Sequence, residues 1–237
     1  MVRILGDGLS KGVAVGGSEP WSVTRQSDYR IMREAGATRI RLDIPWETVQ
    51  PNDGPFDWSA IDPVIRDATD AGLKCLAILH TTPAWANAGR GNYAPPADLA
   101  LVEDNCYQEV KRYLPRGVTE YEIGNEVNLD HPGWVPTGPY YAANLLTPGA
   151  RGVRRASREA ARNVTILLGA LAPVFGLGTD PVAFLRDLYT YCGQCLGRFD
   201  VVSYHPYTTS PLTDENMKGI PDQLNAISGK QIWATEY

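Results

Sequence analysis

Two glutamates in this sequence each follow a short apolar run. Glu126 ends residues 118–126, and Glu236 ends residues 231–236. Parallel strands of a barrel end at one face, so side chains that follow two such strands can meet there. Cleavage of a glycosidic bond needs one protonated carboxyl group, which donates to the leaving oxygen, and one ionised carboxyl group, which attacks or activates water. The pair therefore indicates a sugar-cleaving site, the alternative being that each is an ordinary loop glutamate.

Composition and charge limit the classes of protein to consider. The chain has 237 residues, 43% of them apolar and 21% charged, which suits one α/β barrel domain or, less naturally, two small domains. Its 22 basic and 27 acidic residues give a formal net charge of −5, without a basic run. Nucleic acid and anionic membrane surfaces are therefore poor partners, and a neutral or weakly charged substrate suits the chain better. The oligomeric state is not readable from the sequence.

The sequence shows neither a secretory signal nor a membrane-spanning segment. Residues 1–8 lack the apolar stretch of a secretory signal, and no segment is long and apolar enough to cross a bilayer. We therefore expect a cytoplasmic protein by default, without membrane insertion. Action outside the cell, or on a larger particle, stays open.

The cysteines and histidines do not predict cofactor chemistry. Cys192 and Cys195 have thioredoxin-like spacing, but they follow a predicted helix at its C-terminal end, where the helix dipole disfavours a thiolate. We expect a local disulfide or two unreactive thiols there. The three histidines, His80, His131 and His205, lack the spacing of metal ligands, so we expect neither a metal nor another cofactor.

The order of apolar runs and turn residues predicts alternating strands and helices, which is typical of βα units around a parallel sheet. Pro148 and Gly149 are expected to break the helix that is predicted within residues 139–162. The predicted strands cover residues 12–16, 38–44, 73–79, 118–125, 164–169, 199–204 and 231–235. The predicted helices cover residues 28–35, 59–71, 97–114, part of 139–162, and 182–191.

Seven predicted strands fall one short of a closed barrel. A (β/α)8 barrel closes with eight strands, and an unclosed sheet leaves backbone groups unpaired at its edges. We therefore expect a single TIM-barrel domain over residues 1–237, truncated at its C-terminal end, and a longer parent protein. In the alternative, residues 2–5 fill the gap beside the first strand.

Several segments resemble retaining glycoside hydrolases of clan A. Residues 121–128, Tyr-Glu-Ile-Gly-Asn-Glu-Val-Asn, resemble the Glu-Ile-Trp-Asn-Glu-Pro-Asn signature of these enzymes, and residues 233–237 resemble the strand that carries their nucleophile. Residues 40–42, followed by Trp46 and then by residues 50–58, look like their second-strand block. Residues 82–86 and 93–98 look like the block that follows it in family 39 and its neighbours in family 5. The motifs occur in the expected order, so the resemblance implies a (β/α)8 fold and hydrolysis of β-linked O-glycosides.

The resemblance implies a role for each matching residue at the strand ends. Glu126 would be the general acid/base and Glu236 the nucleophile. Asn125 would bind the sugar 2-hydroxyl, a contact that strengthens as charge develops at the anomeric carbon. Arg41 would keep Glu236 ionised, unless it is a structural ion-pair partner. A retaining mechanism also implies carboxyl groups about 5–5.5 Å apart.

Three further residues match substrate-binding or positioning positions of the family, and two tryptophans are candidates because of their place in predicted loops. His205 and Tyr207 resemble a His-x-Tyr pair that positions nucleophile or substrate, and His80 a substrate-contacting histidine. Either histidine can instead be a hydrogen-bonded core residue. Trp85 and Trp134 stand in predicted loops, where their rings can stack on a sugar or pack against the protein.

The sequence also departs from the family pattern. Gly124 and Val127 replace the usual Trp and Pro beside the acid/base, which reshapes the wall of the expected pocket. The eighth strand, which supplies a tryptophan beneath the sugar in this clan, is not found in the sequence. We therefore expect the isolated chain to be weakly active at best. A non-catalytic glycan-binding barrel remains the alternative function.

Overall fold

The sheet of this protein is parallel throughout and follows the order of the chain. A computed structural model describes the backbone of residues 4–5, 9–10, 12–15, 26–207 and 218–236, with side chains from residue 28 onward. Seven strands pair in the order β3-β4-β5-β6-β7-β8-β9. The strands are β1 (Ile4–Leu5), β2 (Leu9–Ser10), β3 (Gly12–Val15), β4 (Arg39–Pro45), β5 (Lys74–His80), β6 (Glu120–Ile123), β7 (Thr165–Leu171), β8 (Val201–Tyr204) and β9 (Ile232–Ala234).

Helices connect successive strands, as parallel pairing requires. The helices are α1 (Gln26–Glu34), α2 (Trp46–Val49), α3 (Ile61–Asp70), α4 (Ala84–Asn87), α5 (Ala100–Tyr113), α6 (Gly138–Tyr141), α7 (Thr147–Glu159), α8 (Pro181–Tyr191) and α9 (Ile220–Ser228). Alternating strands and helices around one parallel sheet form a partial (β/α)8 barrel, which confirms the predicted fold class. None of the helices in the described part of the chain is long and apolar enough to cross a membrane.

Side-chain alternation divides the core into two layers. One face of each strand packs against the helices, as Ile40, Tyr121 and Val202 do. The opposite face contributes a smaller apolar cluster that is separate from the first. This smaller cluster consists of Leu76, Leu167, Val201 and Trp233. Period-2 alternation therefore leaves the second face of the strands to line the barrel interior.

The N-terminal strands β1 and β2 form a two-stranded sheet of their own. β1 pairs with β2 in an antiparallel arrangement, with Ile4 opposite Ser10 and Leu5 opposite Leu9. Among the described residues β1 therefore has no backbone pairing with the seven-stranded sheet, although it lies close to β9. Residues 2 and 3 lie outside the described residues, so the alternative in which residues 2–5 fill the gap beside the first strand stays a prediction. Within the described residues, β3 and β9 each have one neighbour and form the edges of the seven-stranded sheet.

The predicted helix break at Pro148 is wrong. A π-helical segment, Ala142–Leu146, joins α6 to α7, so the chain is helical without interruption from Gly138 to Glu159. The Thr147 N–H donates to the carbonyl of Ala142, five residues earlier. Proline lacks an N–H and clashes with the carbonyl four residues before it, and the wider π turn accommodates both effects.

A disulfide bond links Cys192 and Cys195 just after α8, which agrees with the expected local pair. Cys195 is fully buried, in the short 3₁₀ helix Gly193–Gly197. The bond therefore joins the end of α8 to the segment that leads into β8.

Glu109 is a fully buried carboxyl group on α5. Neither of its oxygens has a hydrogen-bond partner among the described residues. Burial raises the pKa of Glu109 well above its usual value, and the nearby amide of Asn105 offsets only part of that shift. The side chain is therefore protonated in the folded protein over a wide pH range.

We expect Glu109→Gln to flatten the pH dependence of stability. Because the folded state holds this proton more tightly than the unfolded state, wild-type stability falls as pH rises from the unfolded pKa towards the raised folded pKa. The neutral amide removes this loss, and the gain at the alkaline end should be about 1–3 kcal/mol. Urea denaturation between pH 4 and 9 measures it, with exposed Glu34→Gln as the control. Parallel curves for Glu109→Gln and wild type would contradict the prediction.

Candidate active site

Most of the predicted site residues meet at the C-terminal ends of four strands. They come from β4 and from the segments that follow β6, β8 and β9. Hydrogen bonds and ion pairs connect them into one network around two carboxylates. The residues brought together are Arg41, Asn125, Glu126, His205, Tyr207 and Glu236.

Arg41 is the centre of this network. Its guanidinium donates to Glu122 Oε2 at 2.7 Å, to Asn125 Oδ1 at 2.7 Å and to Glu236 Oε2 at 3.0 Å. The side chain is only 5% exposed. Burial alone would lower the pKa of Arg41, but Glu122, Glu236 and Asp43 outweigh it and the net shift is upward. A permanent positive charge therefore lies beside Glu236.

Asn125 is oriented by the same guanidinium. Because Arg41 donates to Oδ1 of Asn125, the amide nitrogen of that side chain is left to donate elsewhere. Asn125 also lines an open pocket. Its side chain can therefore present N–H donors to a ligand hydroxyl.

His205 lies between the two glutamates. The ring is fully buried, with Nδ1 3.0 Å from Glu126 Oε1 and Nε2 4.0 Å from Glu236 Oε2. Since a carboxylate only accepts, the tautomer that fits donates from Nδ1 to Glu126. This hydrogen bond lowers the pKa of Glu126 by more than burial raises it, and His131 and Arg41 add to the lowering.

Glu236 is held from two sides. Arg41 binds Oε2, while the Tyr207 hydroxyl donates to Oε1. Burial raises the pKa of Tyr207, and the neighbouring Glu236 raises it further, so the phenol keeps its proton and remains a donor. The Glu236 side chain is 37% exposed, so it is open to a ligand.

The turn that carries Glu126 is strained and firmly anchored. Glu126 has a φ of 46°, in the left-handed region that non-glycine residues rarely adopt. Its carbonyl accepts from the Leu129 N–H at 2.9 Å and lies 3.1 Å from His131 Nε2. The His131 ring stacks on Tyr93 with centroids 4.0 Å apart. Asn128 ties the same turn to the Ala172 backbone through both of its amide atoms.

The three other predicted residues have different surroundings. His80 lies beside Asn125 at the wall of the pocket, with Nε2 3.2 Å from Asp43 Oδ1. Trp134 also lines this pocket, but it is buried and its indole N–H donates to the Val127 carbonyl. Trp85 is half-buried, and its N–H donates to the Gln50 carbonyl. The structure therefore gives both tryptophans packing partners, and their stacking on sugar remains a prediction.

The sequence interpretation missed several members of the site. Glu122 and Glu120 on β6 face Arg41 and Arg39 on β4, with Arg39 Nε 3.1 Å from Glu120 Oε2. The two arginines are two residues apart on one strand, and the two glutamates are two residues apart on another. This spacing could have indicated that all four side chains point into the barrel interior and form ion pairs there. The contact of His131 with the Glu126 turn had no comparable signal. Among the described residues, no group of three or more His, Cys, Asp or Glu is placed to hold a metal ion.

Removing Arg41 should leave a buried charge without its partner. We expect Arg41→Met to lower the free energy of unfolding by about 3–5 kcal/mol, because Glu122 would stay buried and unpaired. Adding Glu122→Gln should restore part of that loss. Urea denaturation of the two single variants and the double variant measures the coupling. Arg154→Met, whose pair with Asp200 has side chains 32% and 41% exposed, should cost about 0–1 kcal/mol. Additive losses at Arg41 and Glu122 would contradict the prediction.

Known proteins that this chain is similar to share one kind of chemistry in their names. A family model described as beta-galactosidase, of glycosyl hydrolase family 42, matches residues 19–98. The probable glucan 1,3-beta-glucosidase A of Aspergillus clavatus is 28% identical over 151 residues, which are 58% of this chain and 35% of that protein. Endo-1,4-beta-xylanase A of Fusarium oxysporum is 29% identical over 97 residues, 39% of this chain and 29% of that protein. The chain thus spans about a third of the length of these relatives.

Solved structures agree in fold. A family 39 glycoside hydrolase from Bacteroides cellulosilyticus has a TM-score of 0.61 at 21% identity, covering 84% of this chain and 38% of that one. Fungal beta-1,4-galactanases reach a TM-score of 0.65 at 19% identity, covering 94% of this chain and 67% of theirs. Together with the sequence matches, these likenesses confirm that the chain, a partial (β/α)8 barrel, resembles the clan A glycoside hydrolases.

Proposed function

We propose that this protein hydrolyses β-linked O-glycosides with retention of configuration, Glu126 acting as acid/base and Glu236 as nucleophile. The observation that carries the proposal is that the two ring nitrogens of one buried imidazole, that of His205, face the two carboxylates. The two carboxylates also have different partners, since Glu236 alone is bound by Arg41 and Tyr207. The glucosidase, xylanase and galactanase names of the similar proteins support a β-linked carbohydrate as the substrate.

The proposed reaction has two displacements. A Glu236 oxygen attacks the anomeric carbon, the bond to the leaving oxygen breaks, and Glu126 gives its proton to that oxygen. Water then attacks the glycosyl ester as Glu126 takes one of its protons, and Glu236 is released. The protein is thereby restored, and the sugar keeps its original configuration. A carboxyl separation of about 5–5.5 Å remains the geometric prediction of this mechanism.

The residues around the two carboxylates have supporting roles in the proposal. The positive charge of Arg41 and the Tyr207 hydroxyl stabilise Glu236 in its ionised form. Asn125, with its amide nitrogen free to donate, binds the hydroxyl next to the anomeric carbon. His80 contacts the sugar from the pocket wall beside Asn125. His205 positions both carboxylates and acts through them.

One observation favours the alternative, a glycan-binding barrel without catalysis. The His205 hydrogen bond lowers the pKa of Glu126, whereas a proton donor works best when its pKa is near the working pH. An enzyme with this arrangement would work at acidic pH. A binding module would need neither a protonated Glu126 nor an attacking Glu236, so replacement of the two glutamates separates the two functions.

We expect the two glutamate variants to differ according to the leaving group. Glu126→Gln should lower kcat/KM about 10²–10⁴-fold for alkyl β-glycosides, but little for 2,4-dinitrophenyl β-glycosides, whose departure needs no proton. Glu236→Gln should abolish turnover of both and still bind the sugar. Steady-state kinetics on a panel of β-glucosides, β-galactosides and β-xylosides measures this.

The matched control is Glu103→Gln on α5, which should retain wild-type kinetics. A 2-deoxy-2-fluoro glycoside with an activated leaving group should label Glu236, located by mass spectrometry of the peptide that contains it. Sugar binding by all variants without turnover by the wild type would establish the binding module. Turnover that survives Glu236→Gln would overturn the proposed nucleophile.

The His205 contact predicts a shift in the pH profile. Because Glu126 must be protonated to act as the acid, activity is lost as pH rises through the Glu126 pKa, which the His205 hydrogen bond lowers. His205→Phe removes that bond, so the alkaline limb of kcat/KM should move to higher pH. His205→Asn, which keeps a donor, should move it less. A limb that stays in place, or moves to lower pH, would contradict the assignment.

A further inference from the structure

A pocket opens beside the proposed catalytic residues and extends towards α5. Asn125 and His80 form its wall on the catalytic side, and Asn105 of α5 lines it as well. The pocket encloses about 540 Å³ between atoms, its open mouth included. Neither Glu126 nor Glu236 lines it. It is therefore a side pocket of the site, next to the sugar unit that Asn125 would hold.

The side pocket has polar groups that no protein atom satisfies. Thr81 Oγ1, Asn105 Oδ1 and His80 Nδ1 are buried without a hydrogen-bond partner among the described residues. Asn105 is only 5% exposed, so it is a deeply buried polar side chain in a pocket wall. Buried polar groups without partners cost about 1–3 kcal/mol each, and a ligand that supplies partners recovers that cost.

Thr81 is also strained. Its φ of 64° is a rare conformation for a β-branched residue, because the branched side chain crowds the backbone there. The Thr82 N–H donates to the Asn92 carbonyl at 2.7 Å, and Pro83 follows, so the backbone after Thr81 is held in place. Strain that neighbouring contacts maintain is common where a ligand binds.

The positive charge nearest the side pocket, that of Arg41 on Asn125, is balanced by Glu122 and Glu236, and the remaining charges near the lining are negative. Asp43 Oδ1 lies 3.2 Å from His80 Nε2. Burial raises the pKa of the lining residue Tyr93, and the carboxylates of Glu126 and Asp43 raise it further. A carboxylate on the ligand would be repelled here, whereas an uncharged hydroxyl can both donate and accept.

We propose that Thr81 and Asn105 form a specificity pocket that binds a neutral hydroxyl or hydroxymethyl group of the sugar unit held beside Asn125. The inference rests on the proposed function, since it needs a sugar in that place. Asn105 would accept from the ligand hydroxyl, and Thr81 would donate to it. Together they select among β-glycosides by one substituent, and a uronic acid is rejected.

The test measures binding, so that it does not depend on turnover. The Glu236→Gln variant is titrated by calorimetry or NMR with the methyl β-glycosides of glucose, galactose and xylose, and then with each monodeoxy form of the tightest one. One deoxygenation should weaken Kd at least about fivefold, as expected for one lost hydrogen bond. Methyl β-glucuronide should bind more weakly than the glucoside.

Second-site variants identify the residues. The deoxy ratio is the Kd of the weakened deoxy glycoside divided by the Kd of its parent glycoside. Asn105→Leu and Thr81→Val, each added to Glu236→Gln, should reduce this ratio to about one, whereas Thr81→Ser should preserve it. Asn144→Leu, on the neighbouring π-helical segment and outside the pocket lining, is the matched control. Circular dichroism checks the fold, and Thr81→Val keeps the branched shape should Asn105→Leu fail to fold.

The outcomes separate this inference from the proposed function. A deoxy ratio that Asn105→Leu and Thr81→Val leave unchanged, or a deoxy series without any weakened member, overturns the specificity pocket alone. Absence of turnover in the wild type, with the deoxy ratio behaving as expected, overturns the proposed hydrolysis and leaves the pocket as a glycan-binding feature. Absence of any sugar binding overturns both.

Discussion

One buried guanidinium holds this site together. Arg41 starts on β4 and reaches Glu122 on β6, Asn125 after β6 and Glu236 after β9, so it connects distant strands of the sheet at their C-terminal ends. A buried positive charge is costly unless opposite charges and hydrogen-bond acceptors surround it. Here two carboxylates and an amide oxygen meet that requirement. The ion pair that neutralises Arg41 in the interior is therefore also the contact that holds Glu236 in position.

The barrel architecture makes such a network feasible. Parallel strands in chain order bring their C-terminal ends to one face, and alternation gives one side of each strand to the helices and the other to the interior. Arg39 and Glu120, each two residues earlier on the same strands, form a second ion pair like that of Arg41 and Glu122. The Arg39 guanidinium also lies 5.2 Å from the centre of the Trp233 ring. Charged pairs thus occupy positions that apolar layers fill elsewhere in the sheet.

Much of this architecture follows from the sequence. The predicted strands from residue 38 onward coincide with β4 to β9 to within a few residues, because each is a short apolar run between turn signals. Pro148 misled the prediction, since a proline usually ends a helix and only the preceding π turn lets it continue. The antiparallel pairing of β1 with β2 was likewise hidden, because strand partners are a tertiary choice.

The sequence by itself determined the chemical types and their order along the chain: the strand-end glutamates, Arg41, Asn125, and the His205–Tyr207 pair. Motif and periodicity are local properties, so a single sequence can reveal them. Only the tertiary structure decided that His205 faces both carboxylates, that His131 supports the Glu126 turn, and that Glu122 neutralises Arg41. Those contacts depend on strand tilt, register and side-chain direction in the folded barrel, and residues far apart in sequence carry no local trace of them.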